Sequence, residues 1–228
     1  MQINPALIEL HFMPCTAYMS VLAAHKEVYI EQQERYVKRS YRNRCLIGDS
    51  NGALRLSIPL RKGKNEQQDI RAVQIVYDSP WIPKFWHSIR SVYQKSPYFE
   101  HYADELYDIL CSKPPMLFDL NWKLLVTFCD WIGLNVELKL TKTYQKVPEK
   151  GMVDWRYRIG PASVPEALQE AVQSQKYPQI FEEKTGFMAN LSVLDLLFCT
   201  GPESLSYLEA CAERMAADLQ NNKHESTD

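Results

Sequence analysis

Within its first 31 residues the chain sets two short alternating segments on either side of one helical segment. Ile8 to Phe12 (IELHF) alternates apolar and polar side chains and stops at Pro14. Thr16 to His25 (TAYMSVLAAH) reads as a helix of about ten residues. Glu27 to Glu31 (EVYIE) alternates again, with Val28 and Ile30 on one face. Strand, helix and strand in so short a span predict a βαβ unit, hence a parallel pair joined by a right-handed crossover.

The rest of the chain fits around that unit. Cys45–Ile47 and Leu54–Leu60 flank GDSNG, whose Asn51-Gly52 is a hairpin-turn signal, and Val73–Tyr77 reads as a further strand. After Ser79-Pro80 the period becomes helical, over Pro83–Gln94, Tyr98–Cys111 and Asn121–Gly133. In the third helix Trp122, Leu125, Cys129 and Ile132 form one stripe, which Leu124, Phe128 and Trp131 widen, so it should be buried on most sides. Val136–Leu140 resembles another strand. Residues 143–162, rich in Lys, Pro and Gly, mark a long loop or a subdomain boundary. Helices follow over Pro165–Gln175, over Leu191–Phe198 and from near Pro202, the last with Leu205, Leu208, Ala212, Met215 and Leu219 on one stripe. The polar tail from Asn221 onward should fray. The fold class expected is α/β: a small mixed sheet, built from the early βαβ unit plus the hairpin, with a helical C-terminal half. An α/β core over 1–142 with a helical subdomain over 143–228 packed on it is one organisation; a single domain over 1–220 is the other.

Composition excludes several classes. With 46% hydrophobic residues and a formal net charge of −2, the chain is no disordered polyelectrolyte. Every apolar run is too short for a transmembrane helix, and the N-terminus lacks a basic region and a small-residue cleavage site. Cys15, Cys45, Cys111, Cys129, Cys199 and Cys211 include no C-x-x-C and no Cys/His pair at metal-ligand spacing, so reduced core thiols are expected. A cytoplasmic globular protein that binds neither nucleic acid nor a membrane fits these numbers, and no metal or cofactor is expected. Phosphate-loop, dinucleotide, nucleophile-elbow and H-E-x-x-H motifs are absent from the sequence.

The densest chemistry lies in Glu31–Arg44, EQQERYVKRSYRNR, where Lys38, Arg39, Arg42 and Arg44 fall within seven residues. Taken as extended chain, Lys38, Ser40, Arg42 and Arg44 share a face that suits a phosphate or carboxylate, while a charged edge strand is the competing structural account. Glu27, Glu31 and Glu34 precede the cations; ion pairing is their commoner use, and Glu31 at a strand end is a candidate general base. His11, near the carboxyl end of the first strand, is the histidine best placed for acid/base work. Cys15 stands before a helix start but has no partner assignable by spacing. Trp81 to Arg90 is aromatic enough to stack a ring, although aromatics at helical spacing are more often core.

Several segments together resemble the WbqC-like proteins. They are Pro14-Cys-Thr-Ala-Tyr18, Val28-Tyr-Ile-Glu31, Tyr36-x-Lys38-x-Ser-Tyr41-Arg-Asn43-Arg44-Cys45, Asn51-Gly52, Leu56-Ser-Ile-Pro-Leu60, Trp81, Trp86 and Ser96-Pro97-Tyr98-Phe99. Asn190-Leu-Ser-Val-Leu-Asp195-Leu-Leu-Phe198 and Gly201-Pro202 complete the set. Members are bacterial and often encoded near genes for O-antigen or other surface-polysaccharide assembly, and some are described as transferases modifying amino sugars. The resemblance points to Pro14, Tyr18, Glu31, Tyr36, Lys38, Asn43, Arg44, Asn190 and Asp195. This chain departs from many relatives in carrying Cys15 after the early proline and Phe85 before Trp86, with His87 on the other side. The late motif also has a structural account, in which Asn190 or Ser192 caps a helix and Asp195 lies in its first turn.

The expectation is therefore a transferase acting on a phosphate-bearing substrate, such as a nucleotide-linked amino sugar or an acyl carrier. Lys38, Arg42 and Arg44 would hold the anion, Tyr18, Tyr36 and Asn43 would orient it, and His11, Glu31 or Asp195 would manage protons. The competing expectation is a non-catalytic module whose cations dock an acidic partner protein.

Overall fold

The computed structural model describes residues 4–61 and 68–225, with side chains of the last helix described as far as Ala216. Strand β1 (Ala6–Glu9), helix α1 (Thr16–Ala24) and strand β2 (Glu27–Glu31) form the expected βαβ unit, in parallel register from Ala6 opposite Val28 to Glu9 opposite Glu31. Two later strands complete the sheet. β5 (Glu137–Leu140) joins the outer side of β2, and β6 (Val153–Asp154) the outer side of β1. The order is β5-β2-β1-β6, with every pair parallel.

All four residues of β1 are buried, as expected of a central parallel strand covered on both faces. The two faces differ. Ala6, Ile8, Val28 and Ile30 point into the core, while Leu7, Glu9, Tyr29 and Glu31 project from the opposite face. Glu9 and Glu31 thus end adjacent strands side by side, a placement made by the register.

β1 stops at Glu9 rather than running to Phe12. The chain turns there: the Phe12 N–H donates to the Tyr41 carbonyl (2.9 Å), and Met13 adopts a φ of 43°. Helix α1 has no side-chain cap of its own at Cys15; the Asn190 side chain accepts from Ala17 N–H (3.0 Å) and the Leu191 carbonyl from Thr16 N–H (2.9 Å).

The hairpin forms as read, with β3 (Arg44–Asp49) antiparallel to β4 (Gly52–Ser57), and stands as its own two-stranded sheet. Gly52 takes φ 113°, which accounts for a glycine after Asn51. Val73–Tyr77 is not a strand: it makes only isolated bridges, Leu60 with Ile75 and Gln74 with Met116, because it is used to tie the hairpin arm to the start of a helix. That helix is α4 (Leu117–Ile132), preceded by α2 (Trp81–Tyr93) and α3 (Phe99–Cys111). Leu124, Leu125, Phe128, Cys129 and Ile132 of α4 are buried, and Trp122 and Trp131 half-buried.

Residues 143–162, read as loop or boundary, contain β6 as well as irregular chain. Beyond them run α5 (Glu166–Ser174), α6 (Glu182–Thr185), α7 (Val193–Thr200) and, after a 3-10 turn at Gly201–Glu203, α8 (Ser204–Glu225). Leu208, Ala212 and Met215 of the predicted stripe are buried and Leu205 is half-buried; the Leu219 side chain lies outside the described part. α8 packs on α1 and α5, so the C-terminal helices rest against the crossover helix of the βαβ unit. No helix among the described residues is long and apolar enough to cross a membrane.

Candidate functional site

At the carboxyl ends of the parallel strands the chain buries two ion networks. The first is built on Glu9, the last residue of β1. Its Oε1 lies 3.2 Å from His11 Nε2 and 3.8 Å from Arg42 Nη2, and its Oε2 accepts from the Tyr157 N–H at 3.0 Å. Arg42 in turn grips Glu34 at both oxygens, Nε to Oε1 at 2.7 Å and Nη2 to Oε2 at 2.5 Å. Glu9, Glu34, Arg42 and His11 are all at most 1% exposed. Burying charges so deeply is tolerable only because each carboxylate meets a cation and further donors.

His11 is held on every side. Its ring lies 4.6 Å from that of Tyr18 and 5.6 Å from that of Tyr41, centroid to centroid, and Tyr18 donates to the Glu9 carbonyl at 2.9 Å. Burial, only partly offset by Glu9, lowers the His11 pKa, so the ring is neutral near pH 7. Burial works against the charge on Glu9 as well, but the His11 hydrogen bond and the Arg42 charge outweigh it and hold the carboxyl below its usual range. A carboxylate can only accept, which assigns the imidazole proton to Nε2. Nδ1 is then a bare lone pair, and it is buried without a partner.

The second network begins at Glu31, the last residue of β2. Its Oε1 accepts from Thr141 Oγ1 (2.8 Å) and Gln33 N–H (2.9 Å), and its Oε2 from Arg156 Nη1 (3.1 Å). Arg156 also binds Asp154 through Nε (3.0 Å) and Nη2 (2.8 Å), and donates to the Gln145 carbonyl (2.8 Å). Arg156 and Tyr157 are adjacent, so one short strap closes both networks. Tyr157 is 49% exposed, lies with its ring 5.4 Å from the Arg42 guanidinium, and takes φ 62°. That conformation is costly for a bulky residue, and the bond from its N–H to Glu9 helps to hold it.

The predicted site residues separate. Glu31–Arg44 is not one extended face: residues 38–42 form turns, with Arg39 at φ 60°. Arg42 points inward and is neutralised by Glu34, while Lys38 and Arg39 are exposed. Arg44 is half-buried, its Nε is buried without a partner, and its charge acts on Tyr36 and Tyr41. Tyr36 donates to Asn43 Oδ1 (3.0 Å) and Asn43 Nδ2 to the Ile58 carbonyl (3.0 Å), which ties the turn to the hairpin. The glutamates are ion-paired, Glu34 with Arg42 but Glu27 with Lys139 and Glu31 with Arg156.

Asp195 belongs to another place. Its carboxylate accepts from Tyr93 (2.7 Å), Tyr177 (2.8 Å) and Gln179 (3.0 Å), none of which takes part in either network. Burial raises its pKa against those three donors. Ser192 caps α7, accepting from Leu194 N–H at 3.4 Å. Cys15 is buried with its pKa pushed up to about 11, again by burial, so it is no activated thiolate. Trp81 and Phe85 are core and His87 is exposed. Among the described residues no group of His, Cys, Asp and Glu is arranged to hold a metal ion.

Glu9, Asp154, Arg156 and Tyr157 are the members sequence reasoning missed. The signal available was the alternation of Trp155, Arg156, Tyr157 and Arg158 inside a stretch otherwise read as loop.

Two cavities flank the networks. Tyr41, Asn190 and residues 160–164 line one of about 230 Å³, and Thr141 and Gln145 border one of about 640 Å³ on the polar face of the sheet.

A model of the WbqC-like protein family matches residues 10–161, a span holding His11, Glu31, Glu34, Arg42, Asp154 and Arg156. The chain belongs to the WbqC-like protein family. Over 228 aligned positions this WbqC-like chain is 26% identical to the uncharacterized protein Rv1507c of Mycobacterium tuberculosis (strain ATCC 25618 / H37Rv), which covers 91% of this chain and 98% of that protein. No solved structure matches it.

Proposed function

We propose that this WbqC-like protein is a group transferase in which His11 is the general base, acting on a phosphate-bearing substrate such as a nucleotide-linked or carrier-linked amino sugar of surface-polysaccharide synthesis. One observation carries the reading: a neutral histidine, oriented by a buried carboxylate, keeps an unpartnered Nδ1 beside the carboxyl ends of a parallel sheet. In such a reaction Nδ1 takes the proton of the attacking hydroxyl or amine as that nucleophile bonds to the transferred group. The bond from that group to its phosphate-bearing carrier breaks, the carrier leaves with the bonding pair, and Glu9 stabilises the imidazolium formed. Arg42 keeps Glu9 ionised and in place. Because His11 is fully buried, the substrate reaches Nδ1 only when the Tyr41 ring, 5.6 Å from the imidazole and part of the wall of the cavity of about 230 Å³, moves aside. In this reading Arg44 and Lys38 hold the phosphate, since the Arg42 guanidinium is bound at both ends by Glu34.

The test has two parts. Nucleotide-linked sugars and acyl-carrier thioesters should raise the melting temperature of the wild-type protein, and K38A/R44A should abolish that rise without unfolding the chain. His11→Gln should retain the binding and lower turnover by about 100-fold or more, the usual contribution of a general base. No rise with any donor sinks the transferase reading; the exposed Lys38 and Arg39 then become a docking surface for an acidic partner protein.

A further inference from the structure

The turn that carries Tyr157 does not have the form its own sequence favours. Arg158 N–H donates to the Trp155 carbonyl at 3.2 Å, which makes residues 155–158 a β-turn. Of its two central residues only Tyr157 has a positive φ, 62°. That is the pattern of a type II turn, which calls for glycine or asparagine at this position. Trp-Arg-Tyr-Arg offers neither. Local preference alone would turn over the peptide between Arg156 and Tyr157, giving the type I form with Tyr157 at negative φ.

Glu9 holds the observed form. Here the Tyr157 N–H points inward and donates to Glu9 Oε2 at 3.0 Å. Turned over, the same peptide would aim the Arg156 carbonyl, an acceptor, at a carboxylate. The ends of the turn suit both forms: Trp155 and Ile159 are buried on either side, and the bond from Arg158 to Trp155 belongs to both turn types. One peptide thus has two discrete positions, and one charge sets their balance. The position also governs cover. The Tyr157 ring lies 5.4 Å from the Arg42 guanidinium, its hydroxyl helps to keep Glu34 charged, and it is the half-exposed residue over that buried pair.

The groups facing Glu9 are His11, Arg42 with its partner Glu34, Tyr18 from α1, and Glu31 at the end of the adjoining strand. His11 and Arg42 favour the charge on Glu9, so the ionised form is the resting one near pH 7.

We propose that the peptide between Arg156 and Tyr157 is a two-position switch read by the charge of Glu9. With Glu9 ionised, the N–H faces inward and the Tyr157 ring covers Arg42. When Glu9 takes up a proton, the peptide turns over, the carboxyl O–H donates to the Arg156 carbonyl, and the ring leaves Arg42 and Glu34. The switch does not rest on the transferase reading, since no substrate enters it.

Glu9→Gln imitates the neutral state. With its Oε1 kept on His11 and Arg42, its Nε2 stands where Oε2 accepted, and that donor meets the Tyr157 N–H head on. NOE spectra and amide hydrogen exchange of the full-length protein at pH 7 test the switch. The wild type should show a strong NOE from Arg156 Hα to the Tyr157 amide, and slow exchange of that amide. In Glu9→Gln an NOE between the Arg156 and Tyr157 amide protons should replace it. The Tyr157 amide should then exchange at least about tenfold faster while the Arg158 amide is unchanged. If Glu9→Gln does not fold, Tyr157→Ile, whose β-branched side chain resists a positive φ, should give the same changes with Glu9 intact. A folded variant that keeps the wild-type NOE, or one in which Arg158 exchanges faster along with residue 157, overturns the switch.

Discussion

At the scale of single residues, the carboxyl edge of the sheet depends on a few side chains whose charge states are set by burial. His11 and His25 both have pKa values lowered chiefly by desolvation. The unfolded chain protonates each near pH 6.5, whereas the folded protein resists the proton. Below pH 6.5 the unfolded state therefore binds more protons, and the stability these residues contribute is present above pH 6.5 and lost as the pH falls below it. Urea unfolding at pH 7.5 and pH 5.5 should show the wild type losing more stability than His11→Gln; equal losses would mean that His11 binds its proton equally well in the folded and the unfolded chain. The comparison with the variant matters because Glu34 and Asp195, raised by burial, push the other way as the pH falls. Of these groups, His11 was singled out from its place after an alternating segment. Glu9 was not, since nothing in Ile8-Glu9-Leu10 distinguishes a solvated polar position from one capped by His11, Arg42 and the Tyr157 N–H.

At the scale of elements, helices and strands here are completed by distant chain. The N-terminus of α1 has no acidic residue in its first turn and no cap from Cys15; Asn190, 173 positions away from Ala17, supplies the acceptor. Asn190 does so from a left-handed conformation, φ 58°, which asparagine tolerates better than most residues. Asn190→Ala should cost about 1–3 kcal/mol, combining a lost cap with backbone strain, and Asn190→Gly should cost less because the strain is absent. Urea denaturation of the two variants measures the difference, and equal losses would remove strain from the account. The sequence offers Asn190 or Ser192 as the cap of the helix that holds Asp195, and Ser192 is that cap. That Asn190 serves α1 rather than the helix it precedes is a tertiary fact. The hairpin was legible because Asn51-Gly52 acts within its own four residues. Val73–Tyr77 misled because an isolated apolar run carries no record of whether a neighbouring strand is present to pair with it.

At the scale of the whole molecule, the sheet is closed from both sides by chain beyond residue 136. β5 and β6 flank the β2-β1 pair, and α5 and α8 cover the crossover helix α1. A fragment of residues 1–142 would lose β6, Arg156, α5, α7 and α8, exposing α1 and leaving Glu31 buried without its cation. Such a fragment should be proteolysed within the early region and lack the cooperative thermal transition of the full chain in circular dichroism; a cooperative transition would show that the first 142 residues carry their own core. Local pattern alone determined the βαβ unit, the hairpin, the long helices and the interest of His11, because strand alternation, helical spacing and turn chemistry act over fewer than about fifteen residues. Only the tertiary structure decided which carboxylate meets which guanidinium. Arg42 turns inward to Glu34 and Glu9, Arg156 reaches Glu31 across 125 positions, and Asp195 goes to two tyrosines. Charge partners are chosen by proximity and desolvation in the folded chain, quantities that a linear order of residues does not contain.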